Sequence, residues 1–244
     1  QMAVQIMENQ FFIVSSEKKG ISLPLPLGRY LTKEKKEEDV RQRMKEDLSY
    51  IRTYGKNKFY SGYSVATKLW VGDYHYKTGC SFQDLADCAQ GIERIAVLRA
   101  DVDNLGEAFV SGFANEENHN RYVTLSRTST FSRKLSLFFK YYINNLLEQG
   151  SFYLKEKEDK RRAVVIVYSG GDDLFVVGSW DDIIGFAVDL YYSLKKYSQG
   201  TLTISGGIGN YPPKFPISVM AKQTGALEDA AKEVDGKNAI TLFD

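Results

Sequence analysis

Apolar residues in this chain fall into two kinds of run, and their order predicts the fold. Ile95-Ala96-Val97-Leu98-Arg99-Ala100-Asp101 is apolar but too short for a helix, and reads as a buried strand ending in a carboxylate. From Ser126 to Gln149 the period becomes helical: Phe131, Leu135, Phe138, Tyr142 and Leu146 share one stripe, and Gly150 supplies the stop. Ala163 to Tyr168 and Leu174 to Val177 predict two more strands, with Gly170-Gly171-Asp172-Asp173 as a tight hairpin between them. Ser179, with Asp182 three residues on, reads as a capping box opening a helix that buries Ile183, Phe186, Leu190, Leu194 and Tyr197. Leu202 to Ile208 predicts a fourth strand, Ile217 to Val234 a helix, and Ala239 to Phe243 a last strand. The order β-α-β-β-α-β, then α-β, is that of an α+β, ferredoxin-like palm: an antiparallel-leaning sheet with helices on one face.

The pattern before residue 90 is different. Phe11-Phe12-Ile13-Val14 predicts a strand, and Gly20 breaks it. The charged stretch from Thr32 to about Arg52 predicts a helix, with Val40, Met44, Leu48 and Ile51 on its apolar face and Lys and Glu on a solvated one. Val65 to Tyr76 predicts another strand. Residues 1–90 are thus expected to form a small α/β accessory or linker domain, and 91–244 the palm. The boundary near Gln90-Gly91 is placed without a Pro- or Gly-rich linker to mark it. A polar loop carrying Asn115, Asn118 and Asn120 precedes the long helix.

Composition narrows the function classes. Of 244 residues, 43% are hydrophobic and 26% charged, which allows an ordinary packed core. The formal charge of +1 gives no long-range attraction for polyanions. Two cysteines, Cys80 and Cys88, cannot build a disulfide framework and suit a reducing compartment. Neither a signal peptide nor an apolar run of about 20 residues is read, so the expected location is cytoplasmic, with no membrane partner. A chain that opens on Gln and soon reaches a strand is expected to be a fragment of a longer protein.

The chemistry is expected where the strands end. In the ferredoxin-like topology the first strand lies beside the hairpin, so Asp101 approaches Asp172 and Asp173. Three converging carboxylates repel one another, and a pair of Mg²⁺ or Mn²⁺ ions, which prefer oxygen ligands, would neutralise them. Such a pair suits an in-line phosphoryl displacement. Gly170 and Gly171 would let backbone N–H groups approach phosphate and supply the positive φ a tight turn needs. The bland reading is a simple turn, since Gly and Asp are common turn residues. The apolar strands on both sides, and a separate strand ending in Asp101-Val102-Asp103, favour the functional one.

Leu98-Arg99-Ala100-Asp101-Val102-Asp103-Asn104-Leu105-Gly106 and Tyr168-Ser169-Gly170-Gly171-Asp172-Asp173-Leu174-Phe175 resemble the second palm domain of the large subunit of type III CRISPR effector complexes. The Csm (type III-A) form is the better match. Weaker likeness continues in Leu69-Trp70-Val71-Gly72-Asp73-Tyr74, Leu135-Ser136-Leu137-Phe138-Phe139 and Leu227-Glu228-Asp229-Ala230-Ala231-Lys232. The resemblance implies an ATP-dependent nucleotidyltransferase that makes cyclic oligoadenylate messengers within an antiviral, RNA-guided complex holding guide and target RNA. It implies metal ligation and catalysis by Asp101, Asp172 and Asp173. Lys232 would lie near the triphosphate, Ser136 near an adenine edge, and Asp103 would be a less certain participant. The family usually carries an N-terminal HD nuclease. Here His75 and His119 precede Tyr76 and Asn120, so the sequence contains no His-Asp pair, and any DNA cleavage would lie outside it.

Bland alternatives stand beside these. Lys232 could be a solvated helix lysine and Ser136 a small packing residue. His75, Cys80 and Cys88 fit no zinc-finger spacing. Gly206, Gly207 and Gly209 do not precede a helix, so they read as packing or bending positions. A GGDEF-like diguanylate cyclase is the rival enzyme, although the turn here reads Gly-Gly-Asp-Asp-Leu-Phe. A non-catalytic scaffold or RNA-binding palm is the rival from another class; the central strands lack the aromatic pair of an RNA platform.

Overall fold

A computed structural model describes residues 10–58, 66–114, 117, 119–154 and 156–243. The chain divides into two compact units, 1–71 and 72–244. Asn115, Asn118 and Val65, each named in a sequence expectation, lie outside the described residues.

The first unit is a sheet in the order β2-β3-β1-β4-β5, built from β1 (Phe11–Ser15), β2 (Leu23–Leu25), β3 (Arg29–Glu34), β4 (Tyr50–Lys56) and β5 (Thr67–Leu69). The β1 strand is central and buried, and Phe11 and Ile13 pack on Val40 of α1 (Glu37–Glu46). The helix is shorter than its apolar spacing predicts. Thr32 belongs to β3 and Ile51 to β4, and Leu48 is fully exposed. Asp47 sets the exit: its carboxylate accepts the Ser49 N–H (2.9 Å) and hydroxyl (2.6 Å) and binds Lys19 (2.5 Å), which turns the chain out of the helix.

The second unit holds β6 (Ile95–Val102), β7 (Val164–Ser169), β8 (Asp173–Ser179), β9 (Ile204–Tyr211) and β10 (Ile240–Leu242), in the order β10-β9-β6-β8-β7. All neighbours are antiparallel except β10 and β9. The β9-β6-β8-β7 part is the expected split-βαβ palm. On one face α4 (Leu125–Leu137), a π turn (Phe138–Tyr142), α5 (Ile143–Glu148) and α6 (Trp180–Tyr197) bury Leu135, Phe138, Ile143, Ile183, Phe186 and Leu190 against Leu98, Ala100 and Val176. A short α3 (Leu105–Ser111) follows β6.

The other face is not bare, as the one-sided expectation had it. It is covered by α2 (Phe82–Ala86) and α7 (Ile217–Glu233), whose Leu85, Ala86 and Met220 pack on Ile95, Val97 and Val177. Gly207 permits this approach, because a Cβ there would stand 2.5 Å from the Glu228 backbone nitrogen. Residues 72–90, assigned from the sequence to the accessory domain, therefore pack with the palm. Their backbone also pairs with β7: Tyr76 N–H donates to Val164 O and Ile166 N–H to Tyr74 O, both 3.0 Å. Composition changes little at residue 72, which is why the division could not be read there.

The capping box expected at Ser179 does not form. Ser179 occupies the N-cap position without a capping hydrogen bond from its side chain, and its hydroxyl lies 3.3 Å from Asp182 Oδ2. That carboxylate is instead claimed by the Ala163 N–H and by Lys157, each at 2.7 Å, beside the fully buried Arg162.

Candidate active site

Strand register brings the acidic residues to one end of the palm sheet. Along β6 the side chains alternate: Ala96, Leu98 and Ala100 enter the core under α6, whereas Val97, Arg99 and Asp101 take the α7 face. Asp101 stands directly opposite Asp173 on β8. The hairpin closes through the Gly170 N–H on Asp173 O (2.9 Å), and the Val102 N–H donates to Asp172 O (3.2 Å), tying the tip to the end of β6.

Gly170 and Gly171 lie in this turn, but neither adopts the left-handed backbone that was expected of them. Gly170 faces the ends of two side chains: a Cβ there would require the Asp173 carboxylate and the Tyr168 ring to move aside. Gly171 is open. A Cβ there would meet only the Ser136 hydroxyl, at 3.6 Å, so Ser136 of α4 does lie beside the turn.

The electrostatics are those of a site short of positive charge. Burial, then the charges of Asp101 and Asp173, push the Asp172 carboxyl above its ordinary pKa. The charge of Asp173, and then a hydrogen bond to it, push the Tyr168 phenol up as well. Lys232 of α7 supplies the nearest cation, with its Nζ 2.7 Å from Asp101 Oδ2 and 2.8 Å from Glu228 Oε1. Burial works against its charge, but the bonds to Asp101 and Glu228 together hold its pKa above the ordinary value.

Asp103 is placed differently. It is buried, and its Oδ2 accepts from the Thr203 hydroxyl (2.8 Å) and the Asn238 N–H (3.1 Å). Those bonds tie the end of β6 to the start of β9 and to the approach to β10. Its Oδ1 is buried without a hydrogen-bond partner.

The donor set suits a hard divalent cation, since Asp101, Asp172 and Asp173 offer only oxygen. They do not form a ready cage, however. Among the described residues no group of three or more His, Cys, Asp or Glu side chains is placed to hold a metal ion. Asp101 is engaged by Lys232 instead. His75, Cys80 and Cys88 form no such group either: His75 Nδ1 lies 3.1 Å from the Asp73 carbonyl, and burial raises the Cys80 thiol pKa.

Two partners of the site were not singled out from the sequence, Glu228 and Arg99. Glu228 is 6% exposed, and its Oε2 lies 3.1 Å from Arg99 Nε. The signals were present. Glu228 and Lys232 are four apart on one helix face, and Arg99 is the one charge inside an otherwise apolar strand before Asp101.

Residues 94–241 match the family described as Cas10/Cmr2, second palm domain. The CRISPR system single-strand-specific deoxyribonuclease Cas10/Csm1 (subtype III-A) of Mycobacterium tuberculosis is 45% identical over 97% of this chain and 29% of its own length. The corresponding Enterococcus italicus protein is 40% identical over 98% of this chain and again 29% of itself. The chain thus spans under a third of the curated relatives it matches. Among solved structures, a Csm1-Csm4 cassette in complex with one ATP superposes with a TM-score of 0.75 at 25% identity, covering 96% of this chain and 32% of that one. No helix among the described residues is long and apolar enough to cross a membrane.

Proposed function

We propose, from the premise that this chain belongs to the Cas10/Cmr2 second-palm family, that it is the nucleotidyltransferase palm of a type III-A CRISPR effector subunit and joins ATP into cyclic oligoadenylates. The observation that carries the reading is the in-register pair of Asp101 and Asp173, with Asp172 at the adjoining tip and the Lys232 ammonium already bound to Asp101. The reaction is attack of a 3′-hydroxyl on the α-phosphorus of the next ATP, breaking the bond to pyrophosphate.

In this reading Asp101, Asp172 and Asp173 offer anionic oxygens to two divalent cations. When bound, Mg²⁺ or Mn²⁺ supplies Lewis acidity toward the phosphoryl oxygens and lowers the pKa of the attacking hydroxyl. The open backbone at Gly171 leaves room for a phosphate beside the tip. Lys232, a flexible point charge, donates to triphosphate oxygens. Ser136, next to Gly171, faces the nucleotide. Asp103 braces the end of β6 through Thr203 and Asn238.

The Csm1-Csm4 cassettes solved with ATP support adenine nucleotide as substrate. We further propose that the chain acts inside an assembly with other Csm subunits, guide RNA and target RNA, in the cytoplasm.

Calorimetry with ATP and GTP in the presence of Mn²⁺, on the wild-type chain and on Asp172→Ala/Asp173→Ala, tests the reading. Mn²⁺-dependent ATP binding that disappears in the double variant is the expected result. Preference for GTP would replace it with the diguanylate-cyclase alternative. ATP binding that survives the double substitution would remove the acidic turn from the site.

A further inference from the structure

Lys232 has two carboxylate partners at once, and one of them is built in. Glu228 is buried, lies within hydrogen-bond distance of Lys232 on one oxygen and is paired with Arg99 through the other. Arg99 is itself anchored, donating from Nη1 to the Ala221 carbonyl (3.3 Å). Its guanidinium crosses α7 at Gly225, where a Cβ would stand 2.8 Å from Nη1. Charges therefore alternate along a chain from Arg99 through Glu228 and Lys232 to Asp101, and only the far end meets the acidic turn.

We infer that Lys232 is an exchangeable counter-ion: it neutralises Asp101 while no divalent cation is bound, and Glu228, fixed by Arg99, is the positioning residue to which its ammonium withdraws when the cation arrives. The inference rests on the reading of Asp101, Asp172 and Asp173 as metal ligands. A cation taking Asp101 would meet a like charge a few ångströms away if Lys232 stayed there. Lys232 carries that charge on a flexible four-carbon stem, so it can leave Asp101 without any movement of α7. Glu228 gives it a destination inside the protein, within reach of an incoming phosphate. Four carboxylates, Asp101, Asp172, Asp173 and Glu228, against two cations, Arg99 and Lys232, leave a deficit of two positive charges. Divalent cations would offset it.

Titration of Mn²⁺ without nucleotide, with free ion read by electron paramagnetic resonance, tests this on the 244-residue chain. Lys232→Met should tighten Mn²⁺ binding, because the competitor for Asp101 is gone. Glu228→Gln should weaken it, because Lys232 is then left with Asp101. Each change is expected to be about tenfold, the scale on which groups around metal ligands act. The double variant should behave like Lys232→Met alone. Lys232→Met binding no tighter than wild type, or both single variants shifting in the same direction, would overturn the inference. If Glu228→Gln does not fold, as judged by circular dichroism, the Lys232→Met arm decides. Asp172→Asn separates this failure from that of the site itself. Mn²⁺ binding indifferent to Asp172→Asn, or absent from every variant, removes the carboxylate site. Binding that needs Asp172 but ignores Lys232 and Glu228 removes only the counter-ion.

Discussion

Asp172 illustrates how a partly buried carboxylate among like charges weakens the protein that holds it. Its carboxyl titrates above its ordinary value of 3.8 because it is partly buried near Asp101 and Asp173. Between the ordinary and the raised value the folded chain holds more protons than the unfolded one, so stability falls as pH rises through that window. Above the window the cost is fully present. Asp172→Asn should therefore raise the melting temperature of the metal-free chain at pH 7 in EDTA, and the gain should shrink toward zero below pH 3.8. The two glycines predict small effects of different origin. Gly170→Ala sets its methyl against the ends of the Asp173 and Tyr168 side chains, which can swing aside because Tyr168 is exposed, and should cost under about 1 kcal/mol by denaturant unfolding. Gly171→Ala, with only the Ser136 hydroxyl nearby, should leave stability within about 0.5 kcal/mol of wild type. At this scale the acids could be singled out in the sequence because Asp101 lies at the end of one apolar run and Asp172 and Asp173 lie between two others. What faces Gly170 could not be: a hairpin suggests special backbone angles, whereas the folded turn sets the ends of the Asp173 and Tyr168 side chains against it.

Among the elements, those with long, clean periodicity were legible, and those decided by a side chain reaching into the backbone were not. The stripe from Phe131 to Leu146 correctly marks one continuous helical rod, yet nothing in its spacing announces the π turn within it. That turn leaves the Phe139 carbonyl accepting from the Ser169 hydroxyl, at the foot of the acidic hairpin. Gly72 packs closely there, since a Cβ on it would stand 2.7 Å from Ser169 Cβ. A π turn that lends a carbonyl to the base of the candidate site's hairpin fits the usual placing of such turns. Ser169→Ala should cost about 0.5–1.5 kcal/mol by chemical denaturation, because it removes that hydrogen bond. The α6 helix shows the same limit. Asp182 looks like part of a cap in the sequence, but with Asp189 it holds the buried Arg162, whose guanidinium also binds the Phe152 carbonyl at 2.7 Å. Arg162→Met leaves the buried Asp189 without its cation and Asp182 with Lys157 alone, so a loss of about 3–5 kcal/mol is expected in the same assay.

The whole molecule turns on where the palm begins. The ferredoxin-like core was legible from residue 91 onward because its strands and helices alternate with clear periods. The segment before it was misplaced because 72–90 contains a five-residue helix and a single bridge to β7 rather than any long periodic element. Those short pieces nonetheless cover two vulnerable surfaces. Leu85 and Ala86 are fully buried over Ile95 and Val97, and the Tyr74–Tyr76 backbone pairs with the outer side of β7. The Tyr74 hydroxyl also donates to the Arg162 carbonyl (2.8 Å), next to the buried ion cluster. A chain of residues 91–244 would expose an apolar sheet face and an unpaired strand edge together, and an open edge of that kind invites association with other chains. Residues 72–244 keep both covered and contain every candidate site residue. The longer piece should therefore melt cooperatively as a monomer and retain Mn²⁺-dependent ATP binding, while the shorter one should aggregate or melt without a sharp transition in calorimetry and size-exclusion chromatography. A cooperative, monomeric 91–244 would mean that the covering at 72–90 is dispensable and that the palm's stability resides within the βαββαβ core and α7. Failure of 72–244 to fold would instead show that these residues alone do not make a stable palm.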